Sequence, residues 1–229
     1  MNKLQKKIIK KSRKARKIIS VIEQFKELKN SKILDIGSGT GVISNVLSKY
    51  SKDVYGVDTF DYRVKKKTYK FKKVKDEIIP FKEDFFDVIV SNQVIEHVQD
   101  QEKHLREIFR TLKKDGICYL ATPNKYFPIE PHYSLPFLGM LPKKIADFYL
   151  QVFKNKDYDV YLLSFNQLKN KIRKYFRMNN FTKKIMINPK KYYLEEKFQV
   201  IPKEIIQLIP SSLLNNLSPG FIVVLKKKN

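Results

Sequence analysis

Residues 33–41 read ILDIGSGTG. An apolar run carrying one acid, Asp35, ends in glycines at alternate positions, Gly37, Gly39 and Gly41. The chain has only 7 glycines in 229 residues, so this concentration answers a local need. Beyond the glycines, Val42, Ile43, Val46, Leu47 and Tyr50 fall at helical spacing. The pattern predicts a strand, a tight turn and a helix over 40–50. Glycine at the turn lets a ligand lie against bare backbone. The helix start offers N–H groups and the positive end of its dipole to an anion.

The spacing narrows the ligand. A dinucleotide loop reads G-x-G-x-x-G, whereas here the third glycine comes one residue early. Ser38 and Thr40 fill the gaps. The next apolar run, DVYGVD (53–58), ends in Asp58, an acid placed to accept hydrogen bonds from two ribose hydroxyls. An adenosine bearing a carboxylate, rather than a diphosphate, satisfies both ends.

Working outward, strands are expected at 32–36, 53–58, 69–74, 86–91 and 116–123. A helix between the last two is marked by Leu105, Ile108, Phe109 and Leu112. FDVIVS (86–91) is apolar at consecutive positions, as in a strand covered on both faces. Alternating strands and helices predict an α/β fold, a Rossmann-like, doubly wound and mostly parallel seven-stranded sheet. Helices are expected at 135–153 and 164–176. Strands are expected at 181–187 and 220–228, joined as an antiparallel edge hairpin interrupted by a Pro-punctuated helical insertion. The whole of 1–229 is read as one domain. It comprises a basic N-terminal helix (1–30), a cofactor core (31–124), an acceptor loop with lid helices and edge strand (125–219) and a last strand (220–228).

With ILDIGSGTG, VYGVD, IIPFKEDFFDVIVSNQVIEHV, LKKDGICYLATPN and the terminal FIVVLKK in hand, the chain resembles the class I S-adenosylmethionine-dependent methyltransferases. The likeness is to the subgroup of small-molecule and ubiquinone-pathway-like enzymes, and it covers residues 31 to about 124 and the last strand. It implies that S-adenosylmethionine is the cofactor. By the same resemblance Asp35 organises the loop and approaches the methionine amino group. Gly37, Ser38 and Gly39, with Gly41 behind them, line the methionine moiety. Asp58 holds the ribose hydroxyls, Thr59 lies beside adenine, and Asn92 and Gln93 face the sulfonium. The acid that reaches the adenine amino group in such enzymes is here Asp76 or Glu77, because Lys75 takes the usual place.

Methyl transfer from a sulfonium is an in-line displacement that asks mainly for positioning. A base is required when the acceptor arrives as a hydroxyl. His97, near the end of the fourth strand, and His132, in the loop after the fifth, are the candidates, while His104 reads as a solvated surface residue. Ubiquinone-pathway relatives carry Glu-x-x-Glu-His at a divalent-metal site. Here Gln93 replaces the first acid of Gln93-Val-Ile-Glu96-His97, so no metal site is assigned. The loop 123–133, with Asn124, Tyr126, Phe127, Glu130, His132 and Tyr133, reads as an acceptor loop or as a surface loop packing its aromatics. Cys118, in a strand, reads as a small core residue.

Net charge is +24, which attracts polyanions. The excess is mainly lysine spread along the chain, as compositional bias would also produce. Lys3, Lys6, Lys7, Lys10, Lys11, Arg13, Lys14, Arg16 and Lys17 stud a segment whose Leu4, Ile8, Ile9, Ile18, Ile19, Ile22 and Phe25 recur at helical spacing. This is a basic amphipathic helix that either packs on the domain or, over residues 1–25, meets an anionic membrane. The expected acceptor is a small molecule: a sugar, a lipid-linked intermediate or a phenol. Methylation of RNA or protein is the alternative, and a non-enzymatic cofactor-binding protein is the third and less favoured reading. Against nucleic acid, the TPN after the fifth strand is not the Asn/Asp-Pro-Pro-aromatic signature of amino-methylating enzymes. A single cysteine and no run long enough for a span or signal peptide fit a cytoplasmic protein, with membrane association left to the alternative reading of the basic helix.

Overall fold

The structure is a computed structural model, and it describes residues 3–64, 68–194 and 202–228, with side chains from residue 9 onward in the first helix. In chain order the elements are α1 (Lys3–Ile22), β1 (Ile33–Ile36), α2 (Val42–Leu47), β2 (Val54–Asp58), β3 (Lys70–Lys73), β4 (Phe86–Asn92), α3 (Gln101–Thr111) and β5 (Leu112–Pro123). A short 3-10 turn (Leu138–Met140) follows. Then come α4 (Lys143–Lys154), α5 (Phe165–Ile172), β6 (Phe176–Asn180), α6 (Thr182–Ile187), α7 (Lys203–Leu208), α8 (Ser211–Leu217) and β7 (Gly220–Lys227).

One seven-stranded sheet has the order β3-β2-β1-β4-β5-β7-β6. Strands β1 to β5 pair in parallel, and β7 runs antiparallel to both β5 and β6. The strand order reverses between β1 and β4, which opens a crevice at the carboxyl ends of those strands. The apolar runs supply both faces because side chains alternate along a strand. Leu34, Ile89, Cys118 and Leu120 face one layer, with Leu105 and Ile108 of α3 and Leu168 and Ile172 of α5. Ile33, Val88, Val90, Ile117 and Tyr119 face the other, with Ile18 and Ile22 of α1, Leu47 of α2 and Ile185 of α6. Cys118 is fully buried, as its strand position required.

α1 packs on the domain. Ala15, Ile18, Val21 and Ile22 are wholly buried, and each Ile or Val so placed contributes about 1.5–3 kcal/mol of apolar burial. The apolar face that a membrane contact through residues 1–25 would have used is therefore spent on the core from Ala15 onward. Side chains 1–8 lie outside the described residues.

Two expectations fail in the second half of the chain. FTKKIMI (181–187) is not a strand: α6 occupies it, and the edge strand is β6, from the end of the segment expected as helix 164–176. Phe181 and Ile185, four apart, are both buried, which is the helical period. In β6 the buried Phe176 and the half-buried Met178 alternate with exposed neighbours, which is the period of a strand. The run contains apolar residues at both spacings, and β7 selects between them by offering its open edge to 176–180. α2 is also shorter than the expected 40–50, and Tyr50 is exposed rather than packed. Part of the Pro-punctuated insertion forms α7 and α8, while residues 195–201 of it lie outside the described residues.

Candidate active site

The glycines of the loop all adopt left-handed backbone, with φ of 66° at Gly37, 53° at Gly39 and 75° at Gly41. Space is short as well. A Cβ at Gly41 would fall 2.5 Å from the Tyr69 hydroxyl, and one at Gly37 would fall 2.7 Å from a Val94 methyl. An L side chain at either place meets both conformational strain and collision. Because α2 has only six residues, the loop's own N–H groups, more than a long helix dipole, present the donors.

Two carboxylates hold this loop. Asp58, at the end of β2, accepts from the Gly39 N–H at 2.7 Å. Asp35, in the middle of β1, is buried beneath the loop and accepts from the Ser44 hydroxyl at 2.5 Å. Burial pushes the Asp35 carboxyl up to about 7, against the opposing pull of the Ser44 bond. From α1, Lys11 donates to the Thr40 hydroxyl at 2.9 Å, and its Nζ lies 3.7 Å from where a Gly39 Cβ would sit. Lys11 thus brings a cation to the glycine loop, a residue that sequence reasoning placed only in a basic helix.

Beside the loop a cavity of about 430 Å³ is lined by Gly37, Asp58, Thr59, Asp76, Glu77 and Gln93, together with His97 and His104. Six of the residues expected to bind cofactor therefore converge on one cleft. Asp35, Ser38, Gly39 and Gly41 lie outside its lining, and Asn92 lines a neighbouring cavity. Asp76 and Glu77 both approach Lys103, at 3.3 and 3.7 Å. Gln93, with φ of 60°, borders both cavities.

His104 corrects the sequence reading: it is 2% exposed, not solvated. Its Nε2 lies 3.0 Å from the Ser91 hydroxyl of β4, and burial lowers its pKa to about 4. The signal was present, since His104 precedes Ile108 by four residues on the buried face of α3. Asn124 is also structural. Its amide donates to the carbonyls of Asn215, Asn216 and Ser218, pinning the exit of β5 to the approach of β7.

His97 and His132, far apart in sequence, meet edge to face with ring centroids 4.8 Å apart. Glu130 orients His132. It is fully buried, and it accepts from His132 Nδ1 at 2.7 Å and from the N–H groups of His132 and Tyr133 at 2.8 and 2.7 Å. That network assigns the proton to Nδ1 and leaves Nε2 for chemistry. Burial opposes the charge on His132, but the Glu130 hydrogen bond and charge outweigh it, and the pKa is raised. His97 is pushed down by burial and by His132. Glu96, buried beside them, accepts from Thr122 at 3.0 Å while its Oε1 has no hydrogen-bond partner, and burial raises it to about 7.

The donor atoms of Glu96, His97 and His132 lie within 4.8 Å of one another. Ligands of one tetrahedral ion at about 2.1 Å lie roughly 3.4 Å apart, so the side chains would have to draw together by up to about 1.4 Å to hold a divalent ion.

Comparison with known proteins agrees with this architecture. Residues 9–177 match the family described as "Methyltransferase domain". A ubiquinone biosynthesis O-methyltransferase of Pelagibacter ubique is 35% identical over 109 residues, which is 44% of this chain and 45% of that protein. The mitochondrial ubiquinone biosynthesis O-methyltransferase of Bos taurus is 30% identical over 134 residues, 52% and 36% respectively. The chain thus spans less than half the length of these relatives. Among solved structures, an S-adenosylmethionine-dependent methyltransferase from Mesorhizobium loti superposes with a TM-score of 0.60 at 12% identity, over 93% of this chain and 98% of that one. The YcgJ protein of Bacillus subtilis gives 0.54 at 18%, over 93% and 99%. The glycine cradle, the acid ending β2 and the matched family over most of its length place this chain among the S-adenosylmethionine-dependent methyltransferases.

Proposed function

We propose that the enzyme methylates a hydroxyl on a small-molecule acceptor, with His97 and His132 receiving the proton. The observation that carries this reading is Gln93. It borders both the cofactor cleft and the neighbouring cavity, beside a histidine pair whose donor atoms converge. In this reading Asp58 takes the ribose hydroxyls, Asp35 and Lys11 take the amino and carboxylate ends of the methionine, and Asp76 or Glu77 meets adenine. The acceptor oxygen attacks the methyl carbon in line, the carbon–sulfur bond breaks, and a neutral thioether leaves. The hydroxyl proton passes to the histidine pair. Positioning supplies most of the rate, and general base catalysis contributes roughly 10²–10⁴-fold.

A divalent cation, where bound, would be held by Glu96, His97 and His132 and would supply a Lewis acid that acidifies the acceptor hydroxyl. Chelation with ethylenediaminetetraacetate separates the two versions: turnover that survives assigns the histidines to proton transfer alone. The names of the ubiquinone-pathway relatives support a phenol-like acceptor. The test is isothermal calorimetry with S-adenosylmethionine and S-adenosylhomocysteine, followed by release of S-adenosylhomocysteine over a panel of catechols, phenols and sugars. His132→Ala is expected to lower kcat about a hundredfold or more, with the cofactor Kd unchanged. If neither cofactor form binds, the proposal falls. Methylation of RNA with a steep salt dependence would move the acceptor to nucleic acid.

A further inference from the structure

We infer that the acceptor carries an anionic group on an apolar body, and that α1 reads the anion. The inference rests on the methyltransferase reading for the site's chemistry. Its own basis is the second cavity, of about 300 Å³, at the carboxyl ends of β4 and β5. One wall is α1, which contributes Lys10, Arg13, Lys14 and Lys17. Their spacing i, i+3, i+4, i+7 makes a single stripe along the helix, next to the buried stripe of Ala15, Ile18 and Ile22. The facing wall is apolar and includes Ile185, Met186, Leu194, Phe221 and Ile222. Among the described residues, no carboxylate lines this cavity.

In a chain with 47 cations and 23 acids, a basic rim by itself says little. Placement decides the matter. The stripe is held rigidly because the adjacent face of the same helix is core. It stands opposite an apolar wall, whose low dielectric strengthens its field. The cavity meets the cofactor cleft at Gln93, where the methyl group is delivered. The four cations border the site on this side. An acceptor with a phosphate or carboxylate would be oriented by them, its hydrocarbon or ring against Ile185 and Phe221 and its nucleophile toward Gln93.

Decyl phosphate is the probe, titrated by calorimetry at two salt concentrations and compared with decanol and with inorganic phosphate. Decyl phosphate is expected to bind at least tenfold more tightly than either, and less tightly as salt rises. Lys10→Gln with Arg13→Gln should weaken it about tenfold, while binding of S-adenosylhomocysteine stays unchanged and reports an intact fold. The charge reversals K10E and R13E should abolish it. Equal binding of decanol, or of decyl phosphate by the double variant, overturns the inference. So does binding that appears only on phosphatidylglycerol vesicles, which would assign the stripe to a lipid surface. Failure of S-adenosylhomocysteine to bind the unaltered protein would sink the methyltransferase reading instead, and the decyl phosphate titration would still decide this one.

Discussion

The two halves of the sheet are built on different logic. From β1 to β5 the strands run in parallel, and cleft-lining residues arrive at strand ends in a regular order: Gly37 after β1, Asp58 ending β2, Gln93 after β4. From Asn124 onward, one strand (β7) must be reached from the far end of the chain and inserted between β5 and β6. The segment in between, 125–219, makes its own small core of Leu138, Ala146, Leu150, Tyr158 and Val160 and exposes apolar side chains such as Phe148 at 71%. The first half is specified by local period and turn chemistry, the second by what the first leaves uncovered.

The sharpest way to test this contrast is Asp58→Ala. It removes the acceptor for the Gly39 N–H and, in the proposed reading, for the ribose. Two charge-assisted hydrogen bonds at ~1.5–3 kcal/mol each predict a loss of a hundredfold or more in S-adenosylmethionine affinity. Calorimetry would show the loss and circular dichroism a folded protein. Unchanged affinity would place the ribose elsewhere. Next in size is Gly41→Ala. The left-handed backbone and the Tyr69 hydroxyl at 2.5 Å from the new Cβ predict about 1–3 kcal/mol of destabilisation by urea unfolding, and weaker cofactor binding with it.

A smaller effect concerns Asp35. Its folded pKa of about 7 lies above the ordinary 3.8. Its contribution to stability is therefore fully present below pH 3.8 and is lost as pH rises toward 7. A cationic amino group beside it would favour the ionised form. Cofactor binding should then release a proton below pH 7, and affinity should rise by up to about tenfold per pH unit there and level off above. Calorimetry in buffers of different ionisation enthalpy measures that proton, and zero release would separate Asp35 from the amino group. The smallest effect is Phe148→Ser in the second half. With the ring 71% exposed, stability should change by less than about 0.5 kcal/mol and cofactor affinity not at all. A loss of cofactor binding would show that the two halves are coupled.

Legibility follows the same boundary. ILDIGSGTG and VYGVD could be read because each residue's job is local: a positive φ at a turn, or an acid at a strand end. Asp76 and Glu77 came instead as alternatives implied by the family resemblance, and both line the cleft. The burial of His104 was legible from its spacing to Ile108 and was missed, whereas its partner, Ser91, belongs to another element. Lys11 was hidden in a lysine-rich helix, and only the packing of α1 over the loop distinguishes it from its neighbours. The strand expected at 181–187 failed because the run offers apolar residues at two periods. Which period is used depends on the open edge of β7, which no local window contains.

While His97 and His132 were only candidates, the sequence by itself determined the parallel α/β core and the glycine turn after its first strand. Those features rest on periodicity and backbone conformation, which act over a few residues. The tertiary structure alone decided that the two histidines touch, that Glu96 and Glu130 frame them, that Lys11 closes on the loop and that four cations of α1 overlook an apolar cavity. Each of these is a meeting of side chains from distant elements. Such meetings are set by how the helices pack to cover the sheet, a balance of burial summed over the whole domain.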